Sequence, residues 1–178
     1  MRRSIPFRRV AISLPEAPDW RAWGTEARLR GAEALMIRGA ADAADAAQRL
    51  ADLGLALIYN GAFPPPTGFF AVHHKSSAPW ELWPGVANGR SCHTPDEAAA
   101  AANAGYDYVF FGPVFETRSH PGEKPAGLAA LQRVCAASSI PVFALGGVNA
   151  ENEARCRAAG AYGVAGIDAF LRDLNVRK

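Results

Sequence analysis

The chain has 178 residues, 49% of them hydrophobic and 20% charged, which is enough for one substantial core, and we expect a single domain spanning residues 1–178. A net charge of +2 is too small to indicate nucleic-acid binding. No stretch approaches the roughly 18 apolar residues of a membrane span, and the three cysteines lack metal-ligand spacing, so we expect a cytoplasmic protein with no membrane or nucleic-acid partner.

Short apolar strands alternate with helices that end at a glycine along most of the chain. Thr94-Pro95-Asp96-Glu97 has the pattern of a capping box with proline at the first helical position. The predicted strands lie at 9–14, 34–37, 55–59, 69–73, 84–90, 108–111, 140–145 and 163–167, and the predicted helices at 19–30, 42–53, 94–104, 127–138 and 150–159.

Eight apolar strands separated by helices favour a (β/α)₈ barrel over an open doubly wound sheet. Between strands 3 and 4, residues 62–68 are too rich in proline to form a helix, and residues 76–83 leave room for one turn. We therefore expect an abbreviated barrel with one outer helix missing and another shortened between strands 3 and 5. Trp80 and Trp83 would cover this thin side, or a second copy of the chain would cover it in a homo-oligomer.

Polar residues that follow the strands are the candidates for function, because barrel enzymes place their chemistry at the C-terminal strand ends. The stretch 106–127 joins a buried strand to a long polar loop that contains His120 and Lys124. Near the ends of the last two predicted strands, Gly146-Gly147 and Gly166-Ile167 would let backbone N–H groups approach a phosphate. That is the usual position of a barrel phosphate site, after strands 7 and 8.

Segments 91–94, 111–117, 140–148 and 158–165 resemble the thiamine phosphate synthase/TenI family in sequence and order. The resemblance is strong from about Gly89 to Phe170. It implies a (β/α)₈ barrel and a thiazole phosphate ligand of thiamine biosynthesis. Family members either join an aminopyrimidine diphosphate to thiazole phosphate with Mg²⁺, releasing diphosphate, or, in the TenI branch, isomerise a thiazole carboxylate phosphate.

Several positions match the family and several depart from it. Arg38, Ser91 and Thr117 match diphosphate contacts of the synthases, and Asn60 is in place. However, the two metal-binding aspartates of the synthases are represented by Gly61 and Ala78. The lysine expected after Arg38 is Ala40, His120 stands where synthases usually have lysine, and Pro113 stands where the TenI branch commonly has histidine.

From these matches we predict a thiazole phosphate site with weak or altered chemistry. One alternative is an active synthase with substitute metal ligands, and another is a non-catalytic binding or regulatory protein. Of these possibilities, only the active synthase would need Mg²⁺ as a cofactor. No metal ligand is assigned. The predicted catalytic residues are His120, His93 and Arg38, and the predicted substrate-binding residues are Asn60, Ser91, Thr117, Lys124, Gly146, Gly147, Gly166 and Ile167.

Overall fold

Eight parallel strands close into a barrel in which each strand pairs with its neighbour in chain order and the eighth pairs with the first. The structure is a computed structural model that describes residues 2–14, 19–39, 41–61, 64–117, 122 and 124–167. The predicted (β/α)₈ barrel is confirmed. Its strands are β1 (Arg9–Ile12), β2 (Ala34–Arg38), β3 (Ala56–Asn60), β4 (Ala71–His74), β5 (Ala87–Cys92), β6 (Tyr108–Phe111), β7 (Val142–Leu145) and β8 (Gly163–Gly166).

Helices cover most of the outside of the barrel. In the described residues they are α1 (Trp20–Leu29), α2 (Ala43–Leu50), α3 (Pro95–Asn103), α4 (Gly127–Ala137) and α5 (Glu153–Ala158), with a 3₁₀ turn at Ala51–Leu53 after α2. The described parts of the β3–β4 and β4–β5 connections contain no helix. The absence of a helix between β3 and β4 was predicted. The shortened helix predicted in the second connection is reduced to turns at 76–77 and 84–85.

Two of the predicted helix starts, those of α1 and α3, are fixed by side-chain caps. The Asp19 side chain accepts a hydrogen bond from the amide of Ala22 at 2.9 Å, and the Thr94 hydroxyl accepts one from the amide of Glu97 at 3.1 Å. The carboxylate of Glu97 reaches back to the amide of His93 at 2.6 Å. This reciprocal pair holds His93 at the junction of β5 and α3, where the barrel opens.

Helix α5 begins three residues later than predicted. The side-chain oxygen of Asn149 accepts hydrogen bonds from the amides of Glu151 and Asn152 at 2.9 and 3.2 Å. These bonds hold the predicted first turn in a non-helical conformation, because an asparagine side chain can replace a backbone acceptor in a turn.

Strands β4 and β5 begin two and three residues later than predicted and end one and two residues later. In β5, Asn88 and Arg90 are buried although they are polar, so the apolar pattern did not reveal how far the strand extends. The strand continues through Ser91 and Cys92, which were predicted to follow it.

Aromatic side chains fill the interior of the barrel. Phe7, which precedes β1, lies against Tyr108 and Phe143 with ring centroids 6.2 and 5.7 Å apart. The hydroxyl of Tyr162 donates a hydrogen bond to the carbonyl of Ile5 at 2.7 Å and so fixes the same segment. The N-terminal segment therefore closes the end of the barrel opposite to the C-terminal strand ends. None of the described helices is long and apolar enough to cross a membrane.

Candidate active site

A cavity of about 600 Å³ opens at the C-terminal ends of the strands. This volume suits a small organic ligand. Every strand contributes to the wall, as expected if the parallel strands all end at one face. Most of the predicted site residues line it, namely Arg38, Asn60, Ser91, His93, Thr117, Gly146, Gly147, Gly166 and Ile167. Of the other two, Lys124 is exposed and is not among the lining residues, and His120 lies outside the described residues.

Two permanent cations, Arg38 and Lys75, face the cavity from the side of β2 and β4. The backbone amide of Arg38 donates to the hydroxyl of Ser13 at 3.0 Å, which fixes the end of β2. Within the described part of the chain, neither side chain forms an ion pair. Their charge is therefore available to an anionic ligand.

Asn60 is held by the barrel itself. Its side-chain amide donates a hydrogen bond of 2.6 Å to the carbonyl of His73 on the neighbouring strand, and the residue is buried. One N–H of the amide is thus used to join β3 to β4, which leaves the side-chain oxygen and the second N–H as the groups that can serve a ligand.

His73 forms part of the floor of the cavity. Its imidazole packs on Phe110 with centroids 4.2 Å apart, and Nε2 lies 3.0 Å from the hydroxyl of Ser91. Burial, together with the nearby charges of His74 and Arg90, lowers the pKa of His73 to about 3. The ring is therefore neutral at physiological pH, and Nδ1 has no hydrogen-bond partner in the described residues.

His93 is exposed at the rim, where hydrogen bonds orient its ring. Nδ1 lies 3.0 Å from the carbonyl of Gly112, and Nε2 lies 3.3 Å from the hydroxyl of Ser76. Because a carbonyl only accepts hydrogen bonds, Nδ1 carries the proton, and in the neutral ring Nε2 accepts from Ser76. This arrangement presents Nε2 as the basic nitrogen, next to the cavity.

The loop after β7 contains two glycines with left-handed backbone conformations, Gly146 at φ 87° and Gly147 at φ 64°. A Cβ atom at Gly147 would lie 2.3 Å from the carbonyl oxygen of Glu116. A side chain at Gly147 would therefore clash with the protein itself and not only with a ligand. Glycine is required there because the loop packs against the backbone of the β6–α4 connection.

The same loop still offers hydrogen-bond donors to a ligand. The backbone amides of Gly147 and Val148 donate to no acceptor in the described residues, and both residues line the cavity. Gly166 and Ile167 line it from the end of β8. The two loops line the same cavity, and backbone amides of this kind suit an anion.

Carboxylates are scarce in the cavity. Glu116 is the acidic residue among those that line it in the described part of the chain, and the described residues contain no group of three His, Cys, Asp or Glu side chains placed to hold a metal ion. Gly61 is not among the lining residues, and Ala78 instead lines a second cavity of about 340 Å³ together with His74 and Trp83.

Three cavity residues come from the connection after β4, namely Lys75, Ser76 and Ser77. Lys75 follows a predicted strand and is one of the polar residues expected at the C-terminal face, whereas Ser76 and Ser77 were not predicted. Their polar run directly after a buried strand was the signal for them. The proline-rich and tryptophan-rich segment that follows obscured it, because it offered no helix from which to judge the position of the loop.

Cys92 faces away from the cavity into an outer core cluster that also contains Ala98 and Leu131. Burial raises the pKa of its thiol to about 12, so the thiolate is not populated at neutral pH. Cys92 therefore serves to pack the outer core.

Comparisons with known proteins agree with this architecture. The family described as thiamine monophosphate synthase (TMP-TENI) matches residues 81–170. A protein of Aquifex aeolicus (strain VF5) named "Putative thiamine-phosphate synthase 2" is 37% identical over 120 residues, which are 67% of this chain and 62% of that protein. A "Thiamine-phosphate synthase" of Synechocystis sp. is 40% identical over 94 residues, 53% of this chain and 27% of that protein. The matches thus span less than two thirds of each of these relatives.

Among solved structures, the thiamine phosphate pyrophosphorylase of Pyrococcus furiosus superposes with a TM-score of 0.77 at 23% identity, covering 89% of this chain and 84% of the other. The N-acetylmannosamine-6-phosphate 2-epimerase of Clostridium perfringens gives a TM-score of 0.67 at 16% identity, covering 92% and 86%. At these identities the likeness shows the barrel fold alone. Because the family match covers half of the chain, the protein belongs to the thiamine monophosphate synthase (TMP-TENI) family.

Proposed function

We propose that the protein binds a thiazole phosphate of thiamine biosynthesis in the cavity, with its phosphate against the loops after β7 and β8, and that its synthase chemistry is weak. The observation that carries the proposal is the composition of the cavity wall. Backbone amides lie at one end, two permanent cations lie on the side of β2 and β4, and Glu116 is the acidic residue that the described wall contains.

The floor of the cavity supports a flat aromatic ligand. His73 and Phe110 stack on each other, and each lines the cavity. Because aromatic rings favour offset-stacked and edge-to-face contacts, a thiazole or pyrimidine ring would pack on this floor. Nδ1 of His73 is buried and Nε2 contacts Ser91, so the neutral imidazole would offer such a ligand the face of its ring.

The residues present do not fit a magnesium clamp for diphosphate. Mg²⁺ prefers carboxylate and other oxygen ligands, and the positions where the synthases have their metal aspartates are Gly61 and Ala78, neither of which lines the cavity. The amide nitrogen of Asn60 is bonded to β4 and its oxygen is neutral. We therefore assign no step to a metal in this chain.

Acid–base chemistry would fall to His93, whose Nε2 is presented at the rim. His120 stays a second candidate for this role. The scarcity of carboxylates in the cavity wall favours a non-catalytic binding protein over a fully active synthase. Both hypotheses use the same proposed phosphate site.

Calorimetric titration tests the proposal directly. Thiazole phosphate should bind in buffer that contains EDTA, whereas the corresponding thiazole alcohol, which lacks the phosphate, should bind about tenfold more weakly or worse. Equal affinity for the two ligands, or no binding of thiazole phosphate, would remove the proposed phosphate site.

A further inference from the structure

The segment 75–86, which joins β4 to β5 where a helix would otherwise lie, is held by side chains instead of helical hydrogen bonds. Its carbonyl groups accept hydrogen bonds from Arg90 and Asn88 of β5 and from the hydroxyl of Tyr106. Since backbone carbonyls need partners when they pack against a protein, these side chains replace the missing helix as the means of fixing the segment. The bonded carbonyls are those of Ser76, Ala78, Pro79, Glu81, Trp83 and Val86.

Arg90 is the strongest of these anchors. Its guanidinium donates to the carbonyls of Ser76 at 2.6 Å and Ala78 at 2.7 Å, and also lies 3.2 Å from the carbonyl of Pro79. The residue is only 3% exposed, and its guanidinium lies 4.0 Å from the centroid of the Trp80 ring. A buried arginine keeps its charge, so its hydrogen bonds to neutral carbonyls are charge-assisted and strong.

The part of the segment that Arg90 holds is also a wall of the active-site cavity. Lys75, Ser76 and Ser77 line the cavity, and Arg90 binds the carbonyl of the middle residue. Lys75 is thereby fixed on both sides, by β4 before it and by the anchored turn after it. A lysine ammonium on an unanchored loop would lose more conformational entropy on binding an anion.

We propose that Lys75 is the second permanent cation of the cavity, that it binds the diphosphate class of ligand without a metal ion, and that Arg90 is a positioning residue that presents it. This inference rests on the proposed function, because it assumes that the cavity receives a phosphorylated ligand. Arg38 supplies the other cation on the same side, and the carboxylates that would hold a metal there are missing from the described wall.

Calorimetry with inorganic diphosphate in EDTA tests the proposal. Lys75→Met should lower the affinity about tenfold or more, because it removes a full charge and keeps an unbranched chain of similar length. Arg90→Met should lower the affinity for diphosphate by a similar factor, because the segment that presents Lys75 would lose its anchor. Arg157→Met is the control, since Arg157 is not among the cavity-lining residues, and it should change the affinity by less than about twofold.

The double variant separates positioning from general destabilisation. If Arg90 acts through Lys75, then Arg90→Met should cause no further loss in a protein that already carries Lys75→Met. Arg90→Lys should not restore the affinity, because one ammonium group cannot bond to three carbonyls in the planar arrangement of a guanidinium. An equal loss from Arg90→Met in both backgrounds would show a merely structural role and would overturn the assignment.

The remaining outcomes distinguish this inference from the proposed function. If Lys75→Met binds diphosphate as tightly as the unchanged protein, Lys75 is not the anion ligand, although the proposed function stands. Binding of thiazole phosphate without any binding of diphosphate also overturns the Lys75 site alone. If the unchanged protein binds neither ligand, both the inference and the proposed function fail. The Lys75 variant, at an exposed position, keeps the test decisive even if Arg90→Met does not fold.

Discussion

At the scale of single residues, burial decides the protonation of His73. The folded protein lowers the pKa of this imidazole to about 3, whereas an unfolded chain titrates it near 6.5. The unfolded state therefore binds one more proton between these two values. The contribution of His73 to stability is complete above about pH 6.5 and is lost progressively as the pH falls towards 3.

This titration predicts a measurable pH dependence. The free energy of unfolding should fall as the pH is lowered from 6.5, and His73 should contribute up to about 1.4 kcal/mol per pH unit to that slope. In His73→Gln the slope between pH 4 and pH 6 should be smaller by about one proton. Urea denaturation at several pH values measures the free energy of unfolding. If this free energy changes with pH equally in the two proteins, His73 is not buried in its neutral form. His74 titrates in the same direction, so the difference between the proteins is the informative quantity.

A second prediction at this scale concerns Ile167, which lines the cavity beside Gly166. Ile167→Asp should weaken the binding of thiazole phosphate about tenfold or more, because it places a negative charge where the ligand phosphate is expected. Ile167→Asn is the matched control, since it has nearly the same shape and no charge. Similar affinities for the two variants would mean that the phosphate lies elsewhere.

At the scale of elements, the loop after β7 is positioned by contact with the β6–α4 connection. Phe115 donates its amide to the carbonyl of Gly146 at 3.0 Å, and Val114 donates to that of Leu145 at 2.8 Å. A glycine is needed where the two backbones meet at Gly147. The phosphate wall is thus a packed pair of loops and not a free turn.

Substitutions at two glycines distinguish the stability lost to a left-handed backbone from the stability lost to a steric clash. Gly54 has φ 67° and nothing within 4 Å of an added Cβ, whereas Gly147 has φ 64° and would meet Glu116. Gly54→Ala should cost about 1 kcal/mol for its left-handed backbone alone. Gly147→Ala should cost roughly 1–3 kcal/mol more, because the added methyl group is forced against a backbone carbonyl. Thermal denaturation measures both, and equal losses would show that the loops do not pack as described.

Helices and strands with local signals could be predicted from the sequence. The cap at Thr94, the strand at Tyr108–Phe111 and the glycine that follows most helices each depend on neighbouring residues, so the sequence shows them directly. The extent of β5 and the start of α5 depend on contacts of Arg90 and Asn149, which a local pattern does not reveal.

The candidate site was predicted in part for the same reason. Residues at strand ends, such as Arg38 and Ser91, could be placed because a barrel collects all its strand ends at one face. Ser76 and Ser77 were not predicted, and Lys75 was expected only as a polar residue at a strand end, because the shape of this connection depends on Arg90, fifteen residues after Lys75, and on a helix that is missing.

At the scale of the whole molecule, the barrel combines a family fold with an altered set of charges. The second half of the chain carries the family match, while the first half supplies Arg38, Lys75 and the helix-free side. Expulsion of diphosphate builds negative charge on the leaving group, and a metal clamp ordinarily stabilises it by several kcal/mol. Two side-chain cations in a cavity open to water would replace only part of that stabilisation.

The rate of thiamine phosphate formation tests this account most directly. The protein should be supplied with aminopyrimidine diphosphate, thiazole phosphate and Mg²⁺, and compared with the Synechocystis relative under the same conditions. We predict a rate lower by about three orders of magnitude or more, with little response to Mg²⁺, while thiazole phosphate still binds in EDTA. A rate equal to that of the relative, together with dependence on Mg²⁺, would contradict the account and would show that the chain holds a metal with ligands other than Gly61 and Ala78.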